Sequence, residues 1–254
     1  MIQSDQSQYG ESPILEDILR KLGRETGGAC VEFGAWDGRR FSNYRKLLVE
    51  RGFSGVLTEG EIDRFRLLKK NFSEFPLVSS VNRFVKTHGE DSLDRILARC
   101  NLPKNFDVLS IDIDGNDFHI WKSLVEFTPK IVVIEFNPSI PNSIYFVQLD
   151  DDQVNQGSSI RALVDLGLSK GYQLVATTTT NAVFVLNEYF HLFPNIDNSL
   201  DTLRADTTYL TTLFQLYDGT VVVVGCNQLI WDNLPFPLQY YPALLRGPMP
   251  GADL

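Results

Sequence analysis

Two short apolar stretches of the chain each carry an acidic residue near their end. Residues 30–38 read Cys-Val-Glu-Phe-Gly-Ala-Trp-Asp-Gly and contain Glu32, and residues 55–60 read Gly-Val-Leu-Thr-Glu-Gly and contain Glu59. If both stretches are neighbouring parallel strands, the acids lie at the same edge of a sheet, where the second acid contacts the ribose hydroxyls of a bound nucleoside. The pattern therefore predicts a nucleoside-cofactor site, with Glu59 on the ribose.

The glycines of the first stretch indicate which cofactor to expect. A dinucleotide site uses Gly-x-Gly-x-x-Gly and seats the pyrophosphate on a helix N-terminus. Here Trp36 and Asp37, a bulky indole and a carboxylate, stand between two glycines at a Gly-x-x-x-Gly spacing. They oppose a diphosphate and tolerate a cofactor that has a sulfonium instead, which is S-adenosylmethionine. The residues expected to hold its methionine part are Glu32, Gly34, Ala35 and Gly38.

Two other interpretations predict different behaviour. A nicotinamide oxidoreductase would need the phosphate-binding glycine turn that this chain lacks. A non-catalytic protein that keeps the fold for interaction or as a scaffold would tolerate replacement of Glu32 and Glu59 without loss of function.

Composition narrows the partners and the location. The chain has 254 residues, of which 43% are hydrophobic, and a formal net charge of −9 that argues against nucleic-acid binding. Its three cysteines make no disulfide framework. The first residues are polar, which predicts no signal peptide, and no apolar run approaches the length of a membrane span. We therefore expect no membrane partner and a cytoplasmic location.

Apolar runs alternate with amphipathic segments along most of the chain. This order predicts an α/β fold with a Rossmann-like, seven-stranded mixed sheet, because unbroken apolar runs indicate strands that are buried on both faces. The predicted strands lie near residues 29–35, 55–59, 77–85, 107–114, 131–136, 172–177 and 182–186. A final antiparallel pair after five parallel strands is typical of methyltransferase sheets and distinguishes them from dehydrogenase sheets.

The end of the chain departs from this alternation. Asp218 and Gly219 stand between two apolar runs, which predicts a β-hairpin. We therefore divide the chain into a Rossmann-like domain, residues 1–190, and a C-terminal hairpin appendage, residues 191–254. The appendage is either a substrate lid or the contact of a homodimer, and the sequence leaves both open.

A second group of polar residues lies near the ends of predicted strands four and five. Residues two apart on a strand share a face, so Asp112 and Asp114 are expected to point the same way, as are Glu135 and Asn137. Oxygen ligands of this kind suit Mg²⁺. The sequence thus predicts a metal site formed by Asp112, Asp114, Glu135 and Asn137. Asp117, just beyond, is equally well explained as the N-cap of the next helix.

Methyl transfer to a hydroxyl also calls for a base. The candidates are Asp114 and His119, with His88 as a weaker one. Asp112 could instead contact the methionine amine of the cofactor, and Asn82, after strand three, is expected to approach the adenine. The long segment 138–159 is predicted to be a lid or binding loop.

Four stretches of the chain together resemble the FkbM-type methyltransferase family. They are residues 32–38 (Glu-Phe-Gly-Ala-Trp-Asp-Gly), 57–59 (Leu-Thr-Glu), 109–117 (Leu-Ser-Ile-Asp-Ile-Asp-Gly-Asn-Asp) and 133–135 (Val-Ile-Glu). The resemblance covers roughly residues 25–190. It implies a class I enzyme that uses S-adenosylmethionine to methylate a hydroxyl of a small polar metabolite, a sugar or another natural product.

Overall fold

One mixed sheet of seven strands organises the protein. The computed structural model describes residues 7, 9–39 and 42–225. The strands are β1 (Ala29–Phe33), β2 (Ser54–Glu59), β3 (Val78–Asn82), β4 (Val108–Ile111), β5 (Ile131–Glu135), β6 (Tyr172–Thr177) and β7 (Asn181–Leu186). Their spatial order is β3-β2-β1-β4-β5-β7-β6, with β1 to β5 parallel and β7 antiparallel between β5 and β6. The predicted α/β, Rossmann-like sheet is confirmed.

Helices connect the strands. They are α1 (Glu11–Lys21), α2 (Arg45–Glu50), α3 (Ile62–Asn71), α4 (Leu93–Ala98), α5 (Asp117–Ser123), α6 (Ile160–Ser169), α7 (Asn187–Phe190) and α8 (Leu200–Leu203). In the described part of the chain, no helix is both long enough and apolar enough to span a membrane.

The central strands β1, β4 and β5 bury both of their faces, which explains their unbroken apolar runs. Side chains alternate along a strand, so Val132 and Ile134 of β5 enter one core cluster, while Ile131 and Val133 enter the other. Trp121 of α5 is fully buried in the first cluster. The sheet is thereby fixed between two helical layers, and its carboxyl edge is held in place.

The parallel strands all end at one edge of the sheet, and the order reverses between β1 and β4. In open α/β sheets, ligands bind in the crevice at such a switch point. The loops after β1, β2, β4 and β5 therefore meet where the predicted site residues lie.

A separate β-hairpin follows the sheet. Strands β8 (Thr211–Gln215) and β9 (Val221–Gly225) pair in antiparallel fashion, and the Thr211 N–H donates to the Ser139 carbonyl, 3.0 Å away. Just before the hairpin, the buried Arg204 donates to the carbonyls of Pro138 and Ile140. The C-terminal part of the appendage, residues 226–254, lies outside the described residues, and its role as a lid or dimer contact stays a prediction.

Candidate functional site

A cavity of about 500 Å³ opens at the carboxyl edge of the sheet. Six acidic side chains line it together with two arginines, three aromatic rings and several small polar groups. The wall includes Glu32, Phe33, Gly34, Ala35, Trp36, Ser42, Asn43, Glu59, Gly60, Glu61, Arg64, Arg83, Phe84, Val85, Asp112, Ile113, Asp114, Glu135 and Asn155. Most of the residues predicted for the cofactor and the metal therefore share one cavity.

Glu59, the last residue of β2, is held by the backbone of two loops. One carboxylate oxygen accepts the N–H of Trp36 at 3.0 Å, and the other accepts the N–H of Glu61 at 2.8 Å. The residue is buried. Because backbone donors fix the carboxylate at the cavity wall, Glu59 presents its remaining lone pairs in one orientation, as a ribose partner must.

Glu32, in β1, is buried and is also provided with donors. The Ser42 hydroxyl donates to it at 3.0 Å and the Asn43 N–H at 3.1 Å, while the Asn43 amide donates to Ser110 at 3.2 Å. Burial raises the pKa of Glu32 to about 7, although these two hydrogen bonds to its carboxylate act in the opposite direction. A cation near Glu32 would therefore gain an unusually strong interaction.

The two glycines of the first motif have packing reasons that the sequence did not reveal. Gly34 adopts a positive φ of 69°, and a Cβ added there would lie 2.0 Å from the Asp112 carbonyl oxygen. A Cβ on Gly38, also at positive φ, would lie 2.3 Å from the Phe72 ring. Gly34 thus lets the loops after β1 and β4 touch, whereas Gly38 packs against α3 and does not line the cavity.

Asp112, Asp114 and Glu135 lie close together at the carboxyl edge of the sheet. The alternation of side chains along a strand is not what brings Asp112 and Asp114 there. The ligand oxygens of Asp112, Asp114 and Glu135 all lie within 4.8 Å of one another. The prediction of a strand through residue 114 is wrong, because β4 ends at Ile111. Asp114 instead has a left-handed backbone, with φ 57°, in the loop that follows β4.

The carboxyl groups of Asp112 and Glu135 have no hydrogen-bond donor among the described residues, although Glu135 is only 6% exposed. Burial, and then the neighbouring carboxylates, raise the pKa of both groups well above their ordinary values. This part of the cavity therefore brings together acidic groups whose charged forms no described residue stabilises.

Asp117 is the contrasting acid of this region. It is the first residue of α5, and its carboxylate turns back to accept the N–H groups of Ile113 at 3.0 Å and Gly115 at 2.9 Å. Burial raises its pKa to about 6, against the effect of these hydrogen bonds. Asp117 shapes the loop that carries Asp112 and Asp114.

Two predicted site residues that carry amides do not line the cavity. The Asn82 amide donates to the Glu59 and Gly60 carbonyls, at 2.7 and 2.9 Å, so it ties β3 to the end of β2. The Asn137 amide accepts the Ser139 N–H at 2.9 Å and donates to the Gln156 carbonyl at 2.7 Å. In each case the polar atoms hold a loop.

His119 likewise faces a loop. Its Nε2 lies 2.8 Å from the Gln148 carbonyl oxygen. The arrangement leaves Asp114, of the two principal base candidates, as the one inside the cavity.

Segment 138–159 contributes to the cavity wall and is held by several side chains, of which Gln148 lies within the segment itself. The buried Gln148 donates to Asn116 at 2.8 Å and accepts the Gly157 N–H at 2.7 Å. The segment places Asn155 in the cavity wall. The sequence indicated a binding loop here, and the structure adds Asn155 as a polar group beside the acids.

Sequence reasoning missed several wall residues. The Arg64 guanidinium stacks over the Trp36 ring at 4.1 Å, and the Phe84 ring lies against Gly60, where a Cβ would come within 2.3 Å of it. Ser42 and Asn43, the donors to Glu32, were also missed. Only contacts between distant segments reveal these roles, and no local motif marks them.

The chain is similar to several solved structures that are methyltransferases. The N-terminal domain of EvdMO1, solved in the presence of SAH and D-fucose, has a TM-score of 0.45 and 11% identity, over 72% of this chain and 83% of that chain. An O-methyltransferase from Bacillus cereus in complex with SAH has a TM-score of 0.45 and 17% identity, over 72% and 82%. A SAM-dependent methyltransferase from Aquifex aeolicus has a TM-score of 0.43 and 10% identity, over 69% and 88%.

At identities of 17% or less and TM-scores of 0.45 or less, these similarities do not assign a function to the chain. No family model matches the chain, and no curated protein matches it. The residues of the cavity therefore have to carry any statement on function.

Proposed function

We propose that the protein is an S-adenosylmethionine-dependent methyltransferase that methylates a hydroxyl group of a small polar molecule. The observation that carries the proposal is the pair of buried acids Glu32 and Glu59, held by loop donors at the edge of one cavity. They belong to adjacent parallel strands beside the switch point of the sheet.

The chemistry of the cavity fits this cofactor better than a dinucleotide. A diphosphate needs N–H donors of a helix N-terminus close to the glycine turn. Helix α2 begins only at Arg45, well after Gly38, and the cavity wall carries carboxylates instead. Carboxylates suit a ribose diol, an ammonium group and a sulfonium, which are three of the polar parts of S-adenosylmethionine.

Each part of the cofactor has candidate partners in the cavity wall. Glu59 would accept hydrogen bonds from the ribose hydroxyls, and Glu32 would attract the methionine ammonium. Phe84, Val85 and Ile113 supply an apolar surface of the kind that an adenine ring needs. When bound, the cofactor supplies an activated methyl group on sulfur.

The protein would contribute to the reaction in two ways: it aligns the acceptor hydroxyl with the methyl group, and it removes the proton of that hydroxyl. Holding the acceptor hydroxyl in line with the methyl group can contribute about 7–11 kcal/mol to lowering the barrier. The oxygen–carbon bond forms as the sulfur–carbon bond breaks, and the hydroxyl proton passes to Asp114, the base candidate inside the cavity. Such a base adds about 10²–10⁴-fold to the rate.

The sequence resemblance to FkbM-type methyltransferases supports the proposed class of acceptor. The stretches shared with FkbM-type methyltransferases include those that carry Glu32, Glu59, Asp112, Asp114 and Glu135. We therefore place the acceptor among sugars, natural products and other small polar metabolites, and the reaction in the cytoplasm.

Calorimetric titration with S-adenosylhomocysteine tests the cofactor. We expect the wild-type protein to bind it, and Glu59→Gln to bind it at least about tenfold more weakly, because one charge-assisted hydrogen bond is lost. Glu50→Gln removes the same charge from the exposed end of α2 and should bind like the wild type. Absence of binding to the folded wild-type protein would contradict the proposal and favour the scaffold alternative.

A further inference from the structure

Three acids of the cavity are spaced for a single ion. The ligand oxygens of Asp112, Asp114 and Glu135 lie within 4.8 Å of one another. Ca²⁺ binds oxygen at about 2.3–2.6 Å, so two of its ligands on opposite sides are about 4.8 Å apart. Mg²⁺, which binds at about 2.0–2.1 Å, requires only a small inward movement of the side chains. One ion can therefore contact all three carboxylates.

The absence of donors separates this cluster from ordinary acidic loops. Glu135 is buried, lines the cavity and accepts no hydrogen bond from any described residue, and the carboxylate of Asp112 likewise has no described donor. Asp117, at the start of the next helix, accepts two backbone N–H groups. A buried carboxylate without donors is strongly unfavourable unless a cation or a proton neutralises it.

The arginines of the cavity are turned to other groups. Arg64 stacks on Trp36, and the Arg83 Nε pairs with Asp91 at 3.2 Å. Among the described residues, neither arginine of the cavity wall therefore pairs with the acid cluster.

We propose that Asp112, Asp114 and Glu135 form a binding site for one hard divalent cation, Ca²⁺ or Mg²⁺. Oxygen-only ligands favour these ions over zinc or copper, which prefer nitrogen and sulfur. The buried Glu135 and the half-buried Asp112 are the anchors, and the exposed Asp114 closes the site from the loop after β4. The positions left on the ion are filled by water or by the acceptor.

The ion site also gives the acceptor a place, and this part rests on the proposed methyltransferase function. Asp112, Asp114 and Glu135 would hold the ion, and the bound ion would make an acceptor hydroxyl more acidic and hold it in place. The free oxygen of Asp114 would take the hydroxyl proton. Acceptors with a second oxygen atom next to the hydroxyl would be preferred, because both oxygens can bind the ion.

Titration of the metal-stripped protein with Mn²⁺, followed by the electron paramagnetic resonance signal of the free ion, tests the site without cofactor. We expect one Mn²⁺ per chain, displaced by Mg²⁺ or Ca²⁺. Glu135→Gln and Asp114→Asn should each weaken binding at least about tenfold, since even indirect partners of metal sites have effects of this size. Glu74→Gln, an exposed acid before β3, should bind Mn²⁺ like the wild type.

Two results would overturn the ion site: no Mn²⁺ binding by the wild-type protein, or equal binding by wild type and Glu135→Gln. Titration with S-adenosylhomocysteine in metal-free buffer separates the two proposals. Binding of the nucleoside without Mn²⁺ binding would remove the ion site and leave the methyltransferase proposal in place. Mn²⁺ binding without nucleoside binding would support the ion site and remove the methyltransferase proposal.

Discussion

Asp107 and Glu135 are buried carboxylates at opposite edges of the parallel strands, and they differ in their hydrogen-bond partners. At the amino edge, Asp107 accepts the Lys130 ammonium at 2.6 Å and the Ala29 N–H at 2.9 Å. At the carboxyl edge, Glu135 is buried to a similar degree, and no described residue donates to it. Asp107 precedes β4 and Glu135 ends β5 of the same sheet, so burial alone does not distinguish a functional group. Glu135 differs because no described residue donates to it, which leaves an interaction for a ligand to make.

Removal of the amino-edge acid should have the largest effect on stability. Asp107→Ala leaves the buried Lys130 ammonium without its close partner and the Ala29 N–H without an acceptor. Breaking a buried ion pair in this way lowers the free energy of unfolding by about 3–5 kcal/mol. Urea unfolding followed by circular dichroism measures the loss.

A double variant separates lost charge pairing from lost packing. Asp107→Asn with Lys130→Met keeps an acceptor for Ala29 and removes both charges, so we expect it to recover most of the lost stability. If the double variant is as unstable as Asp107→Ala, the ion pair is not what stabilises this edge, and the contrast between the edges fails.

At the carboxyl edge, removal of a charge should stabilise the protein instead. The pKa of Glu32 is about 7 in the folded protein, above its ordinary value of 4.5. The unfolded chain therefore loses this proton first, and stability falls as the pH rises from about 4.5 through about 7. Glu32→Gln should raise the free energy of unfolding by up to about 3 kcal/mol at pH 8, and by almost nothing at about pH 4.5.

Urea unfolding of both proteins across this pH range checks the sign and the slope. The charge of Glu32 is one of the causes that raise the pKa of Asp112, so the difference between the curves reports on Glu32 together with its effect on Asp112. A difference that does not change with pH would show that the Glu32 carboxyl titrates normally. The same variant should bind S-adenosylhomocysteine more weakly, since the stabilising change removes a ligand contact.

The fold was predictable because its signals are local. Unbroken apolar runs marked the parallel strands, and the final antiparallel pair followed from the short gap between the runs at residues 172–177 and 182–186. The positions of Glu32, Glu59 and Glu135 near strand ends followed from the same runs. Parallel strands bring such positions to one edge without any knowledge of side-chain contacts.

The details of the site were less predictable because they depend on contacts between distant segments. Asp114 reaches the cluster through a left-handed backbone in a loop that Asp117 stabilises from the helix, and not through strand alternation. The polar atoms of Asn82, Asn137 and His119 turn to loop carbonyls and N–H groups. Sequence shows that such side chains are close to the site, and only the path of the loops shows which way they face.

Gly34 and Gly27 form a matched pair that tests the contact between the loops after β1 and β4. Gly34 and Gly27 both have positive φ, 69° and 65°, but an added Cβ at Gly27 would meet nothing within 4 Å. Both alanine variants carry the left-handed strain of about 1–2 kcal/mol. Gly34→Ala adds a clash with the Asp112 carbonyl, so we expect a further loss of about 1–3 kcal/mol.

Thermal unfolding of the two variants gives the difference directly. Mn²⁺ binding should weaken in Gly34→Ala, because the loop that carries Asp112 must move, and it should not change in Gly27→Ala. Equal stability of the two variants would mean that the loops after β1 and β4 do not touch as described.

Replacement of His119 should have the smallest effect on stability. It tests whether this side chain supports a loop or contacts a ligand. If its main role is the bond to the Gln148 carbonyl, His119→Ala removes one hydrogen bond and lowers the free energy of unfolding by about 1 kcal/mol. Binding of Mn²⁺ and S-adenosylhomocysteine should stay as in the wild type, because the side chain does not line the cavity. A clear change in either affinity at unchanged stability would instead bring His119 into the site, as its sequence position predicted. The two roles of His119 can therefore be separated. Loss of loop support lowers the free energy of unfolding, whereas loss of a ligand contact lowers the affinity for Mn²⁺ or S-adenosylhomocysteine.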